Sequence, residues 1–353
     1  MPKKPDERFA IPLPSVKSDG VLDLLGGVAR TRPLSGEELL RQAAETERAA
    51  KAGDPAAQAA AARMLLTDSP DFRKNRRAVA LLKKAAQKKA PEALYLLGLV
   101  YLRGQGVRQN DAEGVRYLEA AAYLGHPGAE KDLAKAYRLG LPDGASPDKM
   151  KKSLYWSRIA AARGDAYSAF LAGCACRDGI GTEQNLEEAR KWLYQAARGA
   201  VPGAASALAK LHLRRDYEAR RPEEARRWMI EAALTGDIEA QLRVGIFFWS
   251  GFGGRVDQRE AVRWLCRAAE GGSATACAML AGFFMTGTVL SLDRLRAWVL
   301  YQLAQKLGDP AAQATAETIN ALLSPEERRA GRDILRLETP HRIVEALIPR
   351  KTR

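Results

Sequence analysis

The chain has 353 residues, of which 46% are hydrophobic and 28% are charged, and its formal net charge is +14. This composition is typical of a folded soluble protein. The strongly basic balance favours acidic partners, whether protein, nucleic acid or anionic lipid head groups, without selecting among them.

The apolar runs and the cysteines argue against a membrane-spanning or disulfide-stabilised protein. The longest strongly apolar run, residues 93–102, is well short of the ~20 residues that cross a bilayer. The N-terminus lacks an apolar signal core, and Asp6 and Glu7 lie among its first basic residues. Four cysteines are too few for a disulfide framework and fit a reducing compartment. We therefore expect a cytoplasmic protein without a transmembrane segment, with export by an unconventional route left open.

Residues 1–35 are predicted to form an extended, flexible arm. Prolines recur along it and disfavour a packed element. One apolar island, residues 21–25, interrupts the arm. It could dock as a short helix on a partner or fold back on the first groove of the folded part, and the sequence does not separate these two interpretations.

Residues 72–91 carry eight cations and no acidic residue. The cations are Arg73, Lys74, Arg76, Arg77, Lys83, Lys84, Lys88 and Lys89. This basic surface could dock an anionic partner, or it could be a solvated helix face that keeps the protein soluble. Nucleic acid is the less favoured ligand because no aromatic side chains are interleaved to stack on bases.

A repeat array is predicted from residue 36 to about residue 323. Tryptophans recur every 36 residues, and an alanine pair follows each one four and five positions later. The tryptophans are Trp156, Trp192, Trp228 and Trp264. A fixed period of this length indicates stacked units that bury their apolar faces only against their neighbours.

Each unit also contains a first helix, which precedes the helix of the tryptophan. In the clearest unit Ala93, Leu97 and Tyr101 share one helical stripe, and Gly98 permits close approach of a neighbouring backbone. Glycines separate the two helices, and Asn or Asp residues cap the second one. No alternation typical of strands occurs. The predicted fold class is all-α, a right-handed superhelical α-solenoid of about seven antiparallel helix pairs over residues 36–323.

Residues 324–353 are predicted to close the array. Residues 324–327, Ser-Pro-Glu-Glu, begin a capping helix that should extend to about Leu337. Residues 339–353 are predicted to be a basic tail with one short helical stretch around residues 343–347.

The repeated residues resemble the Sel1-like repeat, a relative of the tetratricopeptide repeat. Its pattern runs Ala, Leu-Gly, Tyr, Gly-x-Gly-Val, Lys-Ala, Trp, Ala-Ala and Gly. Residues 93–125 match most of it in order, with Tyr117 at the position of the tryptophan, and residues 245–271 match it in part. Arg215 and a three-residue insertion within residues 139–149 depart from the pattern. The resemblance covers roughly residues 50–323. It implies a superhelix whose concave face binds proteins or peptides, and no shared catalytic residues.

Partner contacts are expected from side chains of the first helices. These are Tyr95, Leu99, Arg103, Arg138, Phe170, Arg214, Arg243, Phe247, Trp249 and Phe283. Trp249 is favoured because the repeat core requires no aromatic side chain at its position, and an exposed tryptophan is a typical hot spot. Phe252 is more readily assigned to local packing.

No catalytic centre is predicted. His212 occupies a core aromatic position, and the three histidines are widely separated without metal-ligand spacing. Cys174 and Cys176 should point to different sides of their helix. We therefore expect no cofactor, no metal and no enzymatic activity.

The sequence thus predicts a non-catalytic adaptor or scaffold that binds an acidic protein or peptide on its concave surface. The alternative is a nucleic-acid or anionic-membrane binder that works through residues 72–91. The sequence does not indicate the oligomeric state.

Overall fold

The repeats fold as a stack of antiparallel helix pairs. The computed structural model describes residues 36–66 and 72–348, and no strand occurs in these two ranges. Their eighteen helices are α1 (Gly36–Ala52), α2 (Pro55–Leu66), α3 (Phe72–Gln87), α4 (Pro91–Arg103), α5 (Asp111–Tyr123), α6 (Pro127–Arg138), α7 (Pro147–Ala162), α8 (Ala166–Asp178), α9 (Leu186–Arg198), α10 (Ala204–Leu213), α11 (Pro222–Leu234), α12 (Ile238–Ser250), α13 (Gln258–Glu270), α14 (Ala274–Thr286), α15 (Arg294–Lys306), α16 (Ala311–Leu322), α17 (Pro325–Leu335) and α18 (Pro340–Leu347). The predicted all-α solenoid is confirmed.

Each unit pairs a first helix with the second helix that follows it. The first helices are α2, α4, α6, α8, α10, α12 and α14, and the second helices are α3, α5, α7, α9, α11, α13 and α15. The two helices of a pair pack on each other, and each second helix then packs on the next first helix. The chain therefore contacts mainly its neighbours in sequence, as a repeat array does.

Polar caps set the start of most helices. The side chains of Asn185 and Asp257 accept hydrogen bonds from backbone N–H groups in the first turns of α9 and α13, at 2.9 and 3.0 Å. Asp165 and Asp237 do the same for α8 and α12, at 2.8 and 3.1 Å. These caps satisfy donors that the first turn of a helix otherwise leaves unpaired.

Small residues let the two helices of a pair approach closely. Gly245 of α12 lies against α13, and a Cβ at this position would be 2.8 Å from Cγ of Leu265. The alanine pair of α13, Ala268 and Ala269, is fully buried, and Trp264 is buried as well. The apolar core therefore extends along the array as a series of clusters.

A glycine in the loop between paired helices joins one unit to the preceding one. Gly181, between α8 and α9, has a φ of +73° and lies against the first turn of α7. A Cβ there would be 2.5 Å from the carbonyl oxygen of Met150. Gly106 and Gly253 make the equivalent approach to the starts of α3 and α11. These glycines therefore fix the spacing between units as well as the turn within one.

Two further helices cover the C-terminal end of the array. Ser324 caps the start of α17, and its hydroxyl accepts a hydrogen bond from the N–H of Glu327 at 3.2 Å. α18 packs on α13 with Ile343, Val344 and Leu347 buried. Much of the segment that the sequence assigns to a basic tail is therefore a docked helix.

Residues 1–35, with the apolar island at 21–25, and residues 349–353 lie outside the described residues. The extended arm over residues 1–35 therefore stays a prediction. In the part of the chain that is described, no helix is both long and apolar enough to cross a membrane.

Candidate binding surface

The first helices each expose one stripe of side chains, and together these stripes form a surface that we call the first-helix face. In α4 the stripe includes Tyr95 and Leu99, which are half-buried. In α12 the corresponding residues are Leu242 and Ile246, followed by the exposed Trp249. Spacings of three and four residues place such side chains on one side of a helix. Direct contacts between first helices, as between α8 and α10, bring neighbouring stripes together.

The ten side chains predicted to contact a partner differ in exposure. Two are exposed, Arg103 and Trp249. Five are half-buried, Tyr95, Leu99, Arg138, Arg214 and Arg243. Three are buried, Phe170, Phe247 and Phe283, each with 7% of its surface exposed. Phe247 and Phe283 follow the outward stripe by one residue, which turns their rings toward the neighbouring unit.

The apolar part of the first-helix face lies on α12 and α14, and we call it the apolar end. Trp249 has 47% of its surface exposed, and its ring centroid is 6.1 Å from that of Phe283. Leu242 and Ile246 continue the apolar surface along α12, and Met285 does so on α14. Sequence reasoning missed these three. Leu242 and Ile246 occupy the repeat positions that Tyr95 and Leu99 occupy in α4. Met285 occupies the repeat position of Trp249.

Phe252 lies in the loop after α12, beside the apolar end. Its ring centroid is 4.8 Å from that of Phe247, while 36% of the residue stays exposed. Arg226 lies over the ring of Phe248, 3.9 Å from its centroid. The aromatic cluster of residues 247–252 is therefore divided between local packing, which holds Phe247 and Phe248, and the exposed ring of Trp249.

Polar contacts hold the α4 part of the face in place. Tyr95 stacks on His126 with ring centroids 4.4 Å apart, and its hydroxyl donates to Oδ2 of Asp132 at 2.9 Å. Burial and the Asp132 carboxylate both raise the pKa of Tyr95, so its hydroxyl stays protonated and remains a donor. Nε2 of His126 lies 2.9 Å from Glu92, which also binds Arg63. Tyr95 is therefore oriented by its neighbours before any partner binds.

The predicted arginines of the face differ in their partners. Arg214 donates to Oδ1 of Asp216 at 2.9 Å, and Arg243 donates to Oε1 of Glu239 at 2.8 Å. Arg103 and Arg138 form no ion pair with any residue in the described ranges. Within the described residues, these last two cations are therefore available to a ligand without competition from a carboxylate.

The basic surface of residues 72–91 occupies the exposed side of α3 and the loop after it. All eight of its cations are exposed. Arg77 pairs with Glu47 of α1 at 3.4 Å, and Nζ of Lys88 donates to the carbonyl oxygen of Gly53 at 2.7 Å. A groove of about 490 Å³ opens beside this surface, lined by residues of α1 and α2 and by Arg77 and Lys84.

Seven segments of the chain match the family model of the Sel1 repeat. They are residues 55–89, 91–126, 127–165, 166–200, 202–237, 238–273 and 274–309. The chain belongs to the Sel1 repeat family. Each matched segment contains one first helix and the second helix that follows it, so the family unit and the structural unit coincide. Sel1-repeat proteins are generally scaffolds for protein–protein interaction.

Curated relatives resemble part of this Sel1-repeat chain. Chitin synthase regulatory factor 3 of Schizosaccharomyces pombe is 30% identical over an alignment of 249 residues that covers 64% of this chain and 25% of that protein. The alginate biosynthesis protein AlgK of Azotobacter vinelandii is 32% identical over 139 residues, which make up 39% of this chain and 30% of that protein. The matched regions therefore span less than a third of the length of these two relatives.

A solved structure shares the fold. It is the crystal structure of a protective antigen of uropathogenic Escherichia coli strains that displays an SLR fold. It aligns with a TM-score of 0.59 and 21% identity, and the alignment covers 86% of this chain and 65% of that one. At this identity the likeness shows the fold alone.

The titratable groups of this Sel1-repeat chain are mostly structural. In the described ranges, no group of three or more His, Cys, Asp or Glu residues could hold a metal ion. His212 is buried beside Tyr217, and its Nδ1 accepts a hydrogen bond from the backbone N–H of Arg221 at 3.4 Å. No disulfide links the four cysteines, all of which lie in the described ranges, and burial raises the pKa of Cys277 to about 12. His212 thus has the contacts of a packed core side chain.

Proposed function

We propose that this chain is a non-catalytic scaffold that binds a protein or peptide partner on the first-helix face. The observation that carries the proposal is the exposed ring of Trp249 at the apolar end. Membership of the Sel1 repeat family supports the class of function. A regulatory factor of chitin synthase among the relatives is consistent with action on another protein. A cytoplasmic location, which the cysteine content favours, is part of the proposal.

The repeat itself does not require a tryptophan at position 249. The corresponding positions of other first helices hold Leu102, Arg138 and Arg177. Covering a large apolar ring that is in contact with water lowers the free energy, and apolar patches on a surface often mark interaction sites. Truncating such a tryptophan in an interface typically costs ~2 kcal/mol or more of binding free energy.

Helix packing supports a concave first-helix face. Two pairs of consecutive first helices, α2 with α4 and α8 with α10, are among the substantially packed pairs of the described residues. Consecutive second helices are not among the substantially packed pairs of the described residues. A stack whose first helices lie closer together curves toward them. We therefore place the partner along the inside of the curve.

We expect the partner to be acidic. The net charge of the chain is +14, and Arg103 and Arg138 lie on the first-helix face without carboxylate partners in the described ranges. Complementary charge accelerates association and suppresses wrong partners, and both effects weaken as salt rises. The apolar end would then supply most of the affinity, and the cations would supply steering.

Affinity capture with the full chain tests this proposal. The wild type, Trp249→Ala and the matched control Tyr155→Ala are compared as baits in an extract of the source cells. Tyr155 is exposed on α7, a second helix outside the first-helix face. We expect Tyr155→Ala to keep the wild-type partners and Trp249→Ala to bind them about 30-fold more weakly, the equivalent of ~2 kcal/mol. Equal affinities for all three baits would reject this face.

The basic surface of residues 72–91 favours a second candidate function, binding to nucleic acid or to an anionic membrane. The specific observation is that its eight cations are all exposed on one helix and the loop that follows. Counterion release predicts a steep loss of affinity with ionic strength, and the double variant Lys83→Glu, Lys84→Glu should flatten that dependence. If the chain binds neither DNA, RNA nor vesicles of anionic lipid at low salt, this candidate is rejected.

A further inference from the structure

Arginine recurs at the C-terminal ends of four consecutive first helices. Arg103 ends α4 and Arg138 ends α6. Arg177 is the penultimate residue of α8, and Arg214 directly follows α10. The next two first helices, α12 and α14, have no basic residue in their last turns. The arginine row, as we call these four residues, therefore ends where the apolar end of the face begins.

Helix stability alone does not account for the arginine row. A cation near a helix C-terminus is stabilised by the helix dipole, and lysine would serve equally well. Arginine differs from lysine in its planar fork of donors, which matches a carboxylate. Two members of the row use this fork within the chain. Arg177 binds both oxygens of Asp178 at 2.7 Å, and Arg214 binds those of Asp216 at 2.9 and 2.5 Å.

The other two members, Arg103 and Arg138, have no carboxylate in the described ranges. Nε of Arg138 is buried and has no hydrogen-bond partner there. Asp132, on the same helix as Arg138, is engaged by Tyr95 and by Lys135, whose Nζ lies 3.4 Å from Oδ1. Supplying an acceptor to an unsatisfied guanidinium is favourable. An external carboxylate could therefore bind the guanidinium groups of Arg103 and Arg138 without competition from a carboxylate of the described residues, through their terminal nitrogens and not through the buried Nε of Arg138.

The packing of the helices sets the spacing that such a ligand must have. α4 and α6 both pack on α5. Neighbouring helices of a stack lie about 8–10 Å apart, and an extended chain advances about 3.3 Å per residue. Carboxylates three residues apart would therefore reach Arg103 and Arg138 together. Three further helix steps separate Arg138 from Trp249, about 24–30 Å, which an extended chain crosses in about seven to nine residues.

We infer that the arginine row and the apolar end bind one extended acidic peptide segment. Its two carboxylates, three residues apart, accept hydrogen bonds from Arg103 and Arg138, and a bulky apolar side chain about nine residues away covers Trp249. This inference rests on the proposed function, in which a protein or peptide binds the first-helix face, and adds the chemistry and spacing of that ligand.

A peptide fits this row better than a single-stranded nucleic acid does. Nucleic-acid channels combine cations with aromatic rings that are free to stack on bases. The aromatic residues of α8 between Arg138 and Trp249 are not free. Phe170 is buried, and Tyr167 is half-buried with Nζ of Lys135 5.4 Å from its ring centroid. The row thus offers forks for carboxylates without stacking platforms between them.

The test measures fluorescence anisotropy of synthetic labelled peptides of identical composition with the full chain. One peptide has two glutamates separated by two residues and a phenylalanine about nine residues further on, and a second has the reverse order. Two others place the glutamates adjacent or about six residues apart. We expect one of the first two to bind about tenfold more tightly than the mis-spaced peptides. A single-stranded oligonucleotide of similar length serves as the competing polyanion.

Variants locate the binding. Arg103→Glu and Arg138→Glu should each weaken it about tenfold, because an attraction becomes a repulsion. Lys191→Glu, exposed on the second helix α9, is the matched charge reversal outside the face and should leave the affinity unchanged. Far-UV circular dichroism checks that each variant keeps its helices.

Each other outcome decides against the inference. Equal binding of all spacings, indifference to both arginine reversals, tighter binding of the oligonucleotide, or no binding by any peptide overturns it. If Trp249→Ala still weakens the binding of peptides whose glutamates are adjacent or about six residues apart, the proposed function stands and only the inferred spacing of the two carboxylates is wrong. If Trp249→Ala changes nothing either, the first-helix face itself is wrong. With no peptide bound, affinity capture decides the proposed function separately.

Discussion

Replacing Gly181 with alanine should destabilise the chain far more than the same change at Gly179, two residues earlier in the same loop. Their φ angles are +73° and +69°, so an alanine at either position would bear the same backbone strain, about 1–2 kcal/mol. A Cβ at Gly179 would meet its nearest neighbour at 3.5 Å, an ordinary contact. At Gly181 it would lie 2.5 Å from the carbonyl oxygen of Met150, in the first turn of α7.

The magnitude follows from the distance that must open. Carbon-to-oxygen contacts normally lie at about 3.3–3.6 Å, so the loop and the start of α7 would have to separate by about 1 Å. Overpacking of this kind costs about 1–3 kcal/mol. We therefore expect the free energy of unfolding to fall by about 1–2 kcal/mol for Gly179→Ala and by about 2–5 kcal/mol for Gly181→Ala.

Urea unfolding followed by far-UV circular dichroism measures the two losses. Because a repeat array can unfold in stages, hydrogen exchange of the α7 backbone amides is the second readout. It should accelerate more in Gly181→Ala than in Gly179→Ala. Equal losses of stability and equal exchange in the two variants would refute the claim that Gly181 joins neighbouring units.

Three further predictions concern buried side chains. Burial lowers the pKa of His212 below its value in the unfolded chain, so the unfolded chain binds the proton more readily. The free energy of unfolding should therefore fall as the pH drops below about 6.5, and the urea midpoint of His212→Phe should vary less with pH than that of the wild type. Parallel pH profiles of the two proteins would contradict this. Burial raises the pKa values of Cys174 and Cys277 to about 11 and about 12, so both thiols stay protonated at neutral pH. Because the thiolate is the reactive form, iodoacetamide should label both slowly until urea unfolds the chain. Rapid labelling of Cys277 in the native protein would contradict its packing. Ile343→Ala should lower the free energy of unfolding by about 2–4 kcal/mol and accelerate amide exchange in α13, on which α18 packs. Unchanged exchange in α13 would show that Ile343 does not hold α18 against this helix.

The helix pairs could be predicted because their signal is local and repeated. Trp228 and Trp264 each mark a second helix, and the glycines between the two helices of a unit mark where the first helix ends. The docking of α18 could not be predicted in the same way. The residues that it covers belong to α13, where Val262 and Cys266 share its buried cluster. Nothing local to α18 identifies a surface that lies so far back in the chain.

The composition of the first-helix face could be predicted only in part. The exposure of Trp249 was expected because no core position requires an aromatic ring there. Phe247 lies one residue beyond the outward stripe, and whether such a residue is covered depends on how closely the neighbouring first helix approaches. Leu242 and Ile246 were within reach of the sequence, since the register of α4 extends to α12 once the three-residue insertion within residues 139–149 is allowed for.

Contacts limited to adjacent units have a consequence for any ligand that spans them. Units of such a stack can open one at a time, because each loses only its own neighbours. A peptide that reaches from α4 to α12 would have to be released before any one of the units beneath it could open. Binding should therefore sharpen the unfolding transition as well as shift its midpoint. The array with bound peptide would unfold in one cooperative transition, whereas the array without peptide would unfold unit by unit.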